Sequence, residues 1–183
     1  MTATTHHSQA WRIAGWSLLA GILALPAVAM ALGADVPWTA FDFAAAAVLL
    51  SLLGLGGEFA ACIKGGAPAR LGMGVAVLTA FLLVWANEAV GVTGSENNDA
   101  NLLFAGVLAV AAGGGLLARF RPAGMARAML ATAAAQALVI IFALVLRLGA
   151  EDPSWPADII GATALFGGLW LTAAALFRRA AAR

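Results

Sequence analysis

The chain has no tyrosine, one cysteine (Cys62) and two histidines, and only 10% of its 183 residues are charged. Each shortage removes a class of function. A single cysteine excludes an internal disulfide and any CxxC metal or redox pair. His6 and His7 are adjacent near the N-terminus, so neither bis-histidine haem ligation inside a helix bundle nor an HExxH zinc site is available. There is no glycine loop followed by Lys-Ser/Thr and no GxSxG elbow; GLGGE at 54–58 has the glycines of a phosphate loop but lies within an apolar run. Basic patches interleaved with aromatics are missing, which argues against a nucleic-acid partner. No enzyme activity, cofactor or metal is expected.

What is abundant is apolar: 63% of residues are hydrophobic and the mean hydropathy is +0.95. A soluble domain carries roughly 25% charged residues, and this chain cannot cover its apolar surface with so few. Lipid is the solvent its composition implies. Six apolar runs, at 12–33, 42–62, 71–92, 102–119, 125–147 and 158–177, each approach the ~20 residues needed to cross a bilayer. The connectors are short and rich in Gly, Pro, Asn and Asp, so consecutive helices should be antiparallel neighbours. The expected fold is an all-α polytopic bundle of six transmembrane helices. Its parts are an N-terminal tail (1–11), one membrane domain (12–178) and a basic C-terminal tail (179–183). AVAMALGAD at 27–35 has the A-x-A pattern of a signal-peptide cleavage site, but the preceding run is long enough to span, and a retained first helix is expected.

Orientation follows from Lys and Arg. With the N-terminus inside, Arg12, Lys64, Arg70, Arg119, Arg121, Arg127, Arg178, Arg179 and Arg183 fall on the cytoplasmic side, and only Arg147 does not. Asp35, Glu96, Asp99, Glu151 and Asp152 fall in the outer loops. Both termini are therefore expected in the cytoplasm. Reporter fusions after Lys64, Arg121 and Arg183 should report cytoplasm, and those after Asp35, Asn98 and Asp152 the opposite side. One clear reversal would refute this topology. Trp11 and Trp16 then lie near the inner surface, and Trp38, Trp85 and Trp155 near the outer one, as an interfacial belt requires.

Small residues recur at steps of three and four on every run. They are Ser17–Gly21–Ala24, Ala44–Ala47–Ser51–Gly54, Gly72–Ala76–Ala80, Ala105–Ala109–Gly113, Ala128–Thr132–Ala135 and Gly161–Gly168–Thr172. Such faces let helices approach closely in lipid, so each is expected to be a packing face. ADVPWTAFD (34–42) and AEDPSWPAD (150–158) share acid, Pro, Trp, Ala and Asp, either as a faint repeat or as two helix entries built alike.

Ionisable and amide groups within the runs are the functional candidates. Glu58 continues the small stripe of the second run; it is placed to carry a proton or cation, to accept a hydrogen bond from a neighbour such as Thr132, or to reach Lys64 or Arg70. Asn87 falls on the small face of the third run, whereas Glu88 points off that face towards nearby water. Gln136, Ala143 and Arg147 share a stripe on the fifth run that could meet Asn87 or Glu88. The candidate set is Glu58, Asn87, Gln136 and Arg147. The oxygen-rich SENNDAN (95–101) suits a hard cation, but Asp99 as the cap of the fourth helix is the expected use.

WTAFDF (38–43), the GGEFA segment, VWANEAVGVTGSENNDANL (84–102) and ARFRPAGMARAM (118–129) resemble a family of small, uncharacterised bacterial six-helix membrane proteins. The resemblance covers most of the chain after residue 11 and implies a bacterial inner-membrane location and six helices, but no activity. Glu58, Asn87 and Asn101 match its pattern; Glu88 stands where that pattern has an aliphatic residue. Two functions follow from the sequence. The first is a non-catalytic accessory or self-associating bundle, whose partners are the lipid bilayer and either a second copy or another membrane protein. The alternative is a small-ion or proton pathway through the candidate set.

Overall fold

The computed structural model describes residues 3–89, 91–93 and 99–183, with side chains from Gln9 onward. Six helices follow one another: α1 Ala3–Ala31, α2 Ala40–Cys62, α3 Gly66–Ala89, α4 Leu103–Leu117, α5 Pro122–Val145 and α6 Ala157–Ala181. A 3-10 turn, Asp99–Leu102, leads into α4. No strand occurs among the described residues. Each helix, counting the turn with α4, is long and apolar enough to cross a membrane. The chain is thus an all-α, multi-pass membrane protein. It divides into two compact units, Met1–Phe59 and Ala60–Arg183.

The helix ends have local causes. Thr39 and Asp42 form a capping box at the start of α2: Asp42 Oδ2 accepts from the Thr39 N–H (2.6 Å) and hydroxyl (2.8 Å), and the Asp42 N–H donates to Thr39 Oγ1 (3.4 Å). The resembling entry to α6 is built differently, with Pro156 as N-cap and no side-chain cap bond. There Asp152 instead accepts from the Ser154 hydroxyl (2.6 Å) and N–H (2.8 Å), and these bonds hold its carboxyl below the usual carboxylate range. Pro122 opens α5, where a missing N–H is harmless. Asp99 does not cap α4 as expected: it opens the 3-10 turn, and the N-cap of α4 proper is Leu102, without a side-chain bond. Arg119 (φ 48°) and Phe120 (φ 54°) are both left-handed, which reverses the chain between α4 and α5 at a steric cost only a close-fitted turn sustains.

In the first unit α1 is exposed almost throughout, with Leu19, Leu23, Pro26 and Ala29 half-buried at helical spacing. On α2, Ala46 and Leu50 are buried. Gly54 meets α1 directly: a Cβ there would lie 2.8 Å from Trp16 Cη2 and 3.0 Å from Leu19 Cδ1.

In the second unit α6 packs on both α3 and α5, and α4 packs on α5. The main core joins Met73 and Ala76 of α3, Met125 and Met129 of α5, and Trp170 and Phe177 of α6. A second cluster gathers Leu83, Phe104, Val107 and Phe166. The small stripes of α3 and α5 pack as expected: Gly72, Ala76, Ala128 and Thr132 are buried. Those of α1, α4 and α6 do not, because Ser17, Gly21, Ala24, Ala105, Ala109, Gly161, Gly168 and Thr172 are exposed. The reason is size matching. α6 turns its large side chains inward and fits them against the small faces of its neighbours, with Phe177 over Gly72, where a Cβ would come within 3.3 Å of the ring.

Candidate functional site

Glu58 is the best-partnered ionisable group among the described residues. Both carboxylate oxygens accept from Arg12, Oε1 from Nε and Oε2 from Nη2, each at 3.0 Å, and Oε1 also accepts from the Trp16 indole at 2.8 Å. The fork is bidentate and charge-assisted, the strongest form such a pair takes. Glu58 lies about a turn before the end of α2, and Arg12 and Trp16 are one turn apart on α1. The pair therefore fastens the first two helices together. Its side chains are 66% (Arg12) and 30% (Glu58) exposed, and Gln9, Arg12, Ile13, Trp16 and Ser17 line an open hollow beside them. The sequence singled out Glu58 but looked to Lys64, Arg70 or Thr132 for its partner. Thr132 instead donates to the carbonyl of Ala128 at 2.9 Å.

The other three candidates belong to the second unit and separate. Arg147 lies beyond the end of α5 in a left-handed conformation (φ 55°), exposed, with its guanidinium 5.7 Å from the centre of the Trp155 ring. It is a cation–π partner in the α5–α6 turn rather than the outer end of an intramembrane stripe. Asn87 is half-buried; its amide nitrogen donates to the Leu83 carbonyl at 2.7 Å, and its Oδ1 is buried without a partner among the described residues. Gln136 is fully buried, and neither its nitrogen nor its oxygen has a partner among the described residues. Thr163 of α6, which sequence reasoning passed over, has an equally unpaired buried hydroxyl.

Helix register relates these three. Gly72 lies against Phe177. Because α3 and α6 run antiparallel, fifteen residues on from Gly72 and fifteen back from Phe177 pair Asn87 with Ala162. On α5, Ile140 shares an apolar cluster with Ile159; one turn inward from each stand Gln136 and Thr163. The residues beside them, Ala86, Ala135 and Ala162, all pack on the cluster that contains Phe166. Asn87, Gln136 and Thr163 thus occupy one level of the α3, α5 and α6 layer. Glu88, by contrast, is exposed, as its helical position implied. Of SENNDAN, 95–98 lie outside the described residues; Asn101 Oδ1 accepts from the N–H groups of Val92 (3.1 Å) and Thr93 (2.9 Å), tying the end of α3 to the 3-10 turn.

The fold and this arrangement define a multi-pass helical membrane protein with a charged clasp in one unit and neutral polar groups inside the other. No protein-family model, curated protein or solved structure matches the chain.

Proposed function

We propose that the protein is a non-catalytic accessory or self-associating helix assembly of the bacterial inner membrane, with both termini in the cytoplasm. The observation that carries this reading is the outer face of α6. Gly161, Ala164, Gly168 and Thr172 form an exposed row at helical spacing, and a Cβ at Gly161 or Gly168 would meet nothing within 4 Å. Lipid-facing positions have no need of glycine, whereas close approach by another helix does. The ion-pathway reading is weaker because it depends on Glu58, whose two oxygens are already engaged by Arg12 and Trp16.

Gly161→Leu and Gly168→Leu test the proposal. Each should weaken self-association, measured by energy transfer between labelled copies in nanodiscs, while leaving the melting temperature of the dissociated chain in excess detergent unchanged, since within one copy both positions open onto free space. Undiminished association in both variants would count against this face.

A further inference from the structure

We infer that the level of the second unit marked by Asn87, Gln136 and Thr163 is a buried binding site for a small neutral hydrogen-bonding molecule, with water as its resident. The inference does not depend on the association reading. Three helices bring four polar atoms to this level, Asn87 Oδ1, both amide atoms of Gln136 and Thr163 Oγ1, each buried and unpaired among the described residues. The unpaired state of Thr163 is unusual within this protein. Thr79, Thr132 and Thr172 each donate to the carbonyl four residues back, at 2.6, 2.9 and 2.8 Å. Thr163 has the same local option and does not take it, which leaves its hydroxyl free for another partner. Gln136 is fully buried in a unit whose outside is lipid, so it cannot swing to bulk water and back.

The donor and acceptor inventory selects the ligand. Gln136 offers two N–H donors and an oxygen acceptor, Thr163 offers either role, and Asn87 Oδ1 accepts. A molecule that both donates and accepts, making about three bonds, satisfies the set, and water does this in protein interiors. A charged ligand does not fit. The buried polar residues are Thr79, Thr93, Thr132 and Gln136, so no buried side chain among the described residues supplies a counter-charge. Along the helices Ile140 and Ile159 flank it on one side and Phe166 with the Met73–Met129–Phe177 cluster on the other. On that second side Thr79 and Thr132 bond their own helices, and the Trp170 indole N–H is likewise buried and unpaired among the described residues.

The test uses the full chain in nanodiscs, with water as the probe. Nuclear Overhauser transfer from water to the side-chain amide of Gln136 should appear, with Gln136→Met identifying that amide pair by removing it. Thr163→Val, which exchanges a hydroxyl for a methyl of similar size, should weaken or abolish the transfer. Gln136→Met should lower the melting temperature, because it strands the ligand and Thr163. An amide silent to water in the folded wild type would overturn the proposal. So would an unchanged or raised melting temperature for Gln136→Met, since replacing an unpaired buried amide with an apolar group of similar shape is neutral or stabilising when nothing is bound. If Gln136→Met does not fold, wild type compared with Thr163→Val still decides.

Discussion

Replacing Gly114 with leucine should destabilise the second unit by roughly 1–3 kcal/mol, at the upper end of that range, while the same change at Gly113 should do almost nothing. The two glycines are neighbours on α4 but face different surroundings. A Cβ at Gly114 would stand 2.8 Å from Ala128 Cβ and 3.4 Å from Ala128 Cα, whereas one at Gly113 would meet nothing within 4 Å. Alanine has no rotamer into which it could retreat, so α4 and α5 would have to move apart. The helix backbone itself accepts leucine at either place, which makes the pair a clean comparison of packing alone. Thermal unfolding in detergent would check it. Equal melting temperatures for the two variants would show that α4 and α5 do not approach as described.

The six spans were legible because apolar run length is a property of composition, and lipid enforces it. Their ends were less so. The apolar signal reports contact with lipid, not helicity, so the run beginning at 12 belongs to a helix beginning at Ala3, and the run ending at 177 to one that continues through Arg178 and Arg179 to Ala181. The inward faces were only partly legible. In water a helix shows its buried face by contrast with polar residues, but in a bilayer both faces are apolar. Small residues then mark close approach without saying to what. Gly72 and Ala128 approach other helices of this chain, while Gly161 and Gly168, written in the same pattern, look outward.

The candidate site divided along the same lines. Glu58 was visible because a carboxylate within an apolar run is costly anywhere in a protein of this kind. Its partner was not, because Arg12 is 46 residues away and sequence proximity favoured Lys64 and Arg70. Asn87 and Gln136 were singled out as amides in lipid, and their common level with Thr163 depends on the register of three helices, which no single run encodes. Thr163 itself carried no signal. Threonine in a membrane helix ordinarily bonds its own backbone, and only the other threonines of the structure show that this one does not.

Glu58→Gln should be harmful rather than mild, although it preserves side-chain volume and an acceptor. Both oxygens of Glu58 face donors: Oε1 takes the Trp16 indole and Arg12 Nε, and Oε2 takes Arg12 Nη2. An amide keeps one oxygen and turns an NH₂ towards the remaining donor, and the Arg12 guanidinium loses its counter-charge. The melting temperature should fall, and the Trp16 indole proton should move upfield as a charged acceptor becomes a neutral one. Arg12→Gln should produce a comparable fall. The double variant should be little worse than either single one, because the second change removes a partner already lost. Arg12→Glu should be the most damaging of the series, since it sets two carboxylates against each other beside the close contact of Trp16 with Gly54. If Glu58 were instead a carrier of protons or cations, Glu58→Gln would leave folding and the Trp16 resonance intact and abolish flux in reconstituted liposomes. Strict additivity of the two single changes would also break the argument, for it would mean that Arg12 and Glu58 do not hold α1 to α2 through each other.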